Sequence, residues 1–167
     1  MKLKSLLFML PMLPVLFSCN QSSSYVPFET STSDSLVDKD IIISQVEASL
    51  SDLSEGLINN DAVAIFNIFS KTRKTNYVRN GYIYPSVEKA QEEYANWLKE
   101  RNGKRKFTFK NKHYDLISDR TVLFTGVGEL HEPTDDGDIK PWTIAYTILW
   151  LKEGNDWKAI NMHISWN

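Results

Sequence analysis

WTIAYTILWLKEGNDWKAINMHISW, residues 142–166, alternates with a period of two on both sides of a Glu153-Gly154-Asn155 turn signal. Such a pattern describes two long strands joined by a tight connection, hence an antiparallel pair. Trp142, Ile144, Tyr146, Ile148 and Trp150 share one side of the first strand, while Ala145 and Leu149 stand among threonines on the other. On the second strand Ile160, Met162, Ile164 and Trp166 share a face opposite Asn161, His163 and Ser165. Working backward, the same period covers about Lys104 to Ile117 and Thr121 to Glu132, with turns at Ser118-Asp119 and a longer connection from Pro133 to Pro141. Four strands in a row with short connections predict an antiparallel meander.

Upstream of Lys104 the period is helical. Ile43, Val46, Leu50, Leu53 and Leu57 step by three and four, which predicts a helix from about Ile41 to Asn59. Asp61 can cap a short second helix from Ala62 to Phe69, and Val87, Ala90, Tyr94 and Trp97 stripe a third that starts after Ser86 and stops at Asn102-Gly103. Between them, Asn80-Gly81 predicts a hairpin of Asn76 to Arg79 with Tyr82 to Tyr84. Helices first and a run of long strands afterward is an α+β pattern with helices packed on one face of a curved, mostly antiparallel sheet.

The N-terminus reads as an export signal. Residues 1–18 carry Lys2 and Lys4, an apolar run from Leu6 to Phe17 broken by Pro11 and Pro14, and Ser18. A membrane-spanning helix needs about 20 apolar residues without such breaks. Cys19 is the chain's one cysteine, so no internal disulfide can form. Leu16-Phe17-Ser18-Cys19 resembles the bacterial lipobox, which implies acylation of Cys19 and attachment to the cell envelope; Asn20 after it implies the outer rather than the inner membrane. Residues 19–39, rich in Ser and Thr, read as a tether, and residues 40–167 as the domain. A net charge of −2 gives no footprint for nucleic acid.

The order helix, short helix, hairpin, helix, four strands resembles the NTF2-like fold, a cone whose helices and sheet enclose a pocket. Gly154-Asn155-Asp156-Trp157-Lys158-Ala159-Ile160-Asn161-Met162-His163-Ile164-Ser165 is similar to the ending of SnoaL-like domains and of the association (hub) domain of calcium/calmodulin-dependent kinases. Asn60-Asp61 sits where that family has Gly-Asp between its first helices. The hub domains' pocket arginines match Gly128, Ile148 and Ile164 here, so an anionic ligand held in the hub manner is not expected. The resemblance implies a pocket lined by Phe66, Tyr82, Trp97, Trp142, Tyr146, Met162 and Ile164, suited to a small apolar ligand, or else filled by those same aromatics as core. It also implies a homodimer formed through the outer face of the sheet, with His163 and Ser165 beside Leu123, Val127 and Leu149.

No catalytic residue, metal or cofactor is expected. Isomerases and dehydratases of this fold need a pocket carboxylate or histidine, and Asp115 and Glu129 fall on the register facing away from the pocket. His163 and Ser165 have no third, orienting acid, and His113, His131 and His163 lack metal-ligand spacing. Lys104, Lys106, Lys110 and Lys112, opposite Phe107 and Phe109, read as a solvated strand face. The preferred reading is a non-catalytic, envelope-tethered module binding a small apolar ligand or a protein partner. A SnoaL-like or ketosteroid-isomerase-like enzyme is the alternative, and an assembly unit with a filled cone is the third.

Overall fold

The computed structural model describes residues 38–167 apart from 100, 102, 135 and 137, so the expected export signal, Cys19 and nearly all of the expected tether lie outside the described residues. Helix α1 spans Lys39–Ile58, with Asp38 capping its first turn by accepting from the Asp40 amide. Its buried stripe is Ile42, Val46, Leu50, Leu53 and Leu57. Ile42, not Ile43, leads it, because four residues back from Val46 is the position that stays on the inner face. Helix α2, Ala62–Phe66, is capped as expected by Asp61, whose carboxylate accepts from the amides of Val63 and Ala64. It ends earlier than its apolar residues do, since Phe69 already pairs with the sheet at Ala159. Helix α3, Val87–Lys99, buries Val87, Ala90, Tyr94 and Leu98, and Trp97 packs half-buried at its edge.

Strands β1 (Asn76–Arg79) and β2 (Tyr82–Ile83) form the expected hairpin, with Asn80 and Gly81 both at positive φ, 49° and 81°. Strands β3 (Lys106–Ser118), β4 (Thr121–Pro133), β5 (Ile139–Glu153) and β6 (Asp156–Trp166) form the antiparallel meander. The sheet has six strands in the order β2-β1-β6-β5-β4-β3. Strand β1 lies parallel to β6, Tyr77 opposite Met162, which makes the sheet mixed. This closure is non-local and leaves no mark on alternation within either strand.

Helices cover the face carrying Val122, Phe124, Leu130, Ile144, Tyr146, Ile148 and Trp150, all buried. Three bulges interrupt the pairing; one, at Ile117, lies beside the β3–β4 turn, and the other two reset which residues face in. In β6 the pairing jumps from Leu149–Asn161 to Trp150–Ala159, so Ile160 is the extra residue. Trp157 and Ala159 point inward before it, and Met162 and Ile164 after it. Ile160 therefore leaves the face that strict alternation assigns to it. In β3 the extra residue is Lys110, and beyond it Lys112 lies on the helix side, where its ammonium meets Glu47 of α1 at 2.6 Å. Glu47 also accepts from the Tyr114 hydroxyl. Burial pushes the Glu47 carboxyl up, but these two donors together hold it below its ordinary range. Gly128 makes room for a neighbouring ring: a Cβ there would stand 2.5 Å from the Cε2–Cζ edge of Phe107.

Candidate functional site

Between α3, α2 and the inner face of the sheet is a narrow apolar slot. Phe66 and Trp97 from the helices and Tyr146, Met162 and Ile164 from the sheet all line it. Five of the seven residues expected at the site therefore come together. The free space among them is about 30 Å³, room for roughly one water molecule. Rings fill the rest: Phe66 stands edge-on to Tyr77 and Tyr94, and Tyr146 receives Phe107 and Phe109 in the same way.

Tyr82 does not reach the slot. It is 55 % exposed and stacks edge-on against Tyr84 from outside, while Tyr77, on the other strand of the hairpin, supplies the wall. A two-residue strand at the sheet's end cannot carry alternation far enough to aim Tyr82 inward. Trp142 shares the inner face but lies one inward position beyond Ile144 toward the sheet's end, half-buried with the Lys140 ammonium 3.9 Å above its ring. Trp166, which was not among the expected site residues, lines the slot where Trp142 does not.

The polar groups of the slot are tyrosine hydroxyls. Burial raises the Tyr146 hydroxyl well above its ordinary range and raises Tyr94 as well, the latter offset in part by Arg105. Neither is a base at neutral pH.

A carboxylate on the inner face escaped the sequence reading. Glu132 has the parity of Phe124 and Leu130 and is 4 % exposed, and Arg105, 2 % exposed, reaches it at 2.5 Å. Arg101 comes to the same oxygen at 3.1 Å. Both guanidiniums lie over the Trp97 ring, 4.0 Å (Arg101) and 4.7 Å (Arg105) from its centroid. The signal was available, because an acid on the inward register of β4 must find a cation. By contrast Asp115 and Glu129 do face outward, held by His113 and by Lys110 and His131.

A larger groove of about 460 Å³ between α1, α2 and the start of β6 is polar and open, and its acids Asp52, Glu55 and Asp61 are solvent-exposed. It lacks the apolar floor of a small-molecule site. No group of histidine, cysteine and acidic side chains suited to a metal ion occurs among the described residues. Nor is any described helix long and apolar enough to cross a membrane.

No family model matches the chain, and no curated protein does either. Solved structures do. An NTF2-like superfamily protein from Salmonella enterica superposes at a TM-score of 0.63 with 10% identity, over 77% of this chain and 91% of that one. A protein from Xanthomonas campestris assigned to the calcium/calmodulin-dependent kinase II association domain gives 0.61 with 17% identity, over 72% and 84%. Hexachlorocyclohexane dehydrochlorinase LinA-type3 from Novosphingobium barchaimii gives 0.59 with 16% identity, over 77% and 90%. Helix order, mixed six-stranded sheet and these superpositions agree: the chain has the NTF2-like fold.

Proposed function

We propose that this chain is a non-catalytic, envelope-tethered module that takes a small apolar ligand at its aromatic slot or offers that end of the cone to a protein partner. One observation carries the reading. The buried carboxylate of the inner face, Glu132, is bound by two arginines, so the slot offers aromatic walls and neutral hydroxyls rather than a base. Native mass spectrometry of the protein purified from its own envelope tests it. A retained small molecule or a co-purifying protein is expected, and a bare chain repeatedly free of both would overturn the proposal.

The enzymatic alternative, SnoaL-like or ketosteroid-isomerase-like, draws support from the dehydrochlorinase among the structural relatives. It requires Glu132 to leave Arg105 and act as a base, and breaking a buried pair costs several kcal/mol, about 3 to 5. The binding reading has no such cost.

Attachment follows from Cys19. Cys19→Ala should release the protein from membranes, because acyl chains at about 0.8 kcal/mol per buried CH₂ are the proposed anchor. Fractionation with a check on signal removal decides it: a processed mutant that stays in the membrane pellet excludes lipidation as the anchor. The outer membrane is the proposed destination.

We further propose a homodimer through the outer face of the sheet. Leu123, Val127 and Leu149 are only partly covered there, among exposed Thr143, Ala145 and Thr147, and Val127, Ala145 and Thr147 border an open trough of about 390 Å³. Exposed apolar surface of this kind favours an interface. Leu149→Asp should shift the protein from dimer to monomer, since an unpaired charge buried between copies is costly. Sedimentation velocity at micromolar concentration reads the result, and a monomeric wild type would remove the dimer.

A further inference from the structure

The segment joining α3 to β3 places two arginines where the described residues supply one carboxylate. Arg105 is enclosed, its side chain 1% exposed, yet among the described residues its five N–H donors meet only Glu132 Oε1 at 2.5 Å and, at the long limit of 3.5 Å, the Tyr94 hydroxyl. Arg101 shares that same oxygen and is 39% exposed, so its guanidinium opens to solvent. Among the described residues two guanidiniums therefore meet one carboxylate, and the enclosed one, Arg105, is where incomplete pairing of a charge is costly. Guanidinium forks bind carboxylates in paired N–H···O bonds, which is the geometry this cluster leaves incomplete.

The cluster shares its walls with the slot. Tyr94 and Trp97 line the apolar space, and the same two side chains contact the arginines, Tyr94 through Arg105 and Trp97 through both. A molecule resting at the rim would meet aromatic surface at one end and guanidinium at the other. Both arginines belong to the α3–β3 connection, before β3 begins at Lys106. The positions matched to the hub domains' pocket arginines are glycine or isoleucine here, with Ile148 and Ile164 buried.

We propose that the rim of the cone binds carboxylate-bearing amphiphiles, aryl or alkyl carboxylic acids, with the acid on Arg101 and Arg105 and the apolar body between Trp97, Leu130 and Trp166. The inference rests on the ligand-binding reading above and adds the class of ligand. Admitting a ring requires Trp97 or Trp166, both half-buried, to turn outward from the 30 Å³ space they now close.

Calorimetric titration of the full chain in non-ionic detergent, with detergent-only blanks, separates the possibilities. The probes are 2-naphthoate and its uncharged analogue 2-naphthamide. Naphthoate should bind about tenfold or more tightly than the amide, the effect of one or two charge-assisted hydrogen bonds. Arg101→Gln should cut that acid-over-amide preference to about twofold or less, while Lys106→Ala, outside the cluster, should leave both affinities unchanged. Equal binding of acid and amide by the wild type overturns the carboxylate site and leaves the apolar slot standing. Binding of neither probe by a protein with native near-UV dichroism overturns both.

Discussion

Glu132→Ala should destabilise the domain by about 3 to 5 kcal/mol, because it strands a buried arginine rather than merely deleting a contact. Arg105 has no route to water at 1% exposure, and the Tyr94 hydroxyl at 3.5 Å cannot replace a carboxylate. Glu129→Ala, three residues earlier on the same strand, makes the useful comparison. Its ion pair with Lys110 is solvent-exposed, and such pairs contribute about 0 to 1 kcal/mol. Urea midpoints of the two variants should therefore lie far apart, and coincident midpoints would mean that Arg105 finds water or another acceptor. Replacing Arg105 and Glu132 together by Met and Leu should recover much of the loss, since an apolar pair of similar volume has no charge to desolvate.

Trp150→Ala should be comparably severe, at about 3 to 5 kcal/mol out of the roughly 5 to 15 typical of a whole domain. The indole is fully buried on β5, between Val122 of β4 and Ala159 of β6. Trp150→Phe should cost much less than its lost volume suggests. The indole Nε1–H is buried without an acceptor among the described residues, so the smaller ring removes an unpaired donor along with the packing. Thermal unfolding of both variants gives the comparison. If Phe is as damaging as Ala, shape rather than the orphan donor governs that position. Trp97→Ala, at the rim and half-buried, should fall below Trp150→Ala but above Lys106→Ala, which faces solvent.

The element order was legible because the chain's patterns are local. Val46, Leu50, Leu53 and Leu57 repeat within one helix, Asn80-Gly81 states its own turn geometry, and the alternation of Trp142 to Trp150 runs unbroken through β5. What alternation could not carry was anything depending on a neighbouring strand. The parallel pairing of β1 with β6 joins segments far apart in sequence. Tyr82 had the right residue type but sat on a strand of two residues, and Tyr77 holds the wall instead. Glu132 was readable by parity alone, yet its partners come from a connection with no periodicity, so only the folded chain shows that Arg101 and Arg105 converge on it. Five of the expected slot residues meet because they belong to elements whose inner faces the sequence already marks.

The bulge at Ile160 also bears on how this chain can be compared with others. On either side of it, odd and even positions exchange roles: Trp157 and Ala159 face the helices, then Met162 and Ile164 do. An alignment that carries a bulge-free relative through β6 without a one-residue gap will match core positions to surface positions on one side of Ile160, whichever end it anchors. Each such column scores as a substitution although nothing in the packing has changed. Against any relative without these bulges, a single gap at Ile160 and another at Lys110 restores the correspondence.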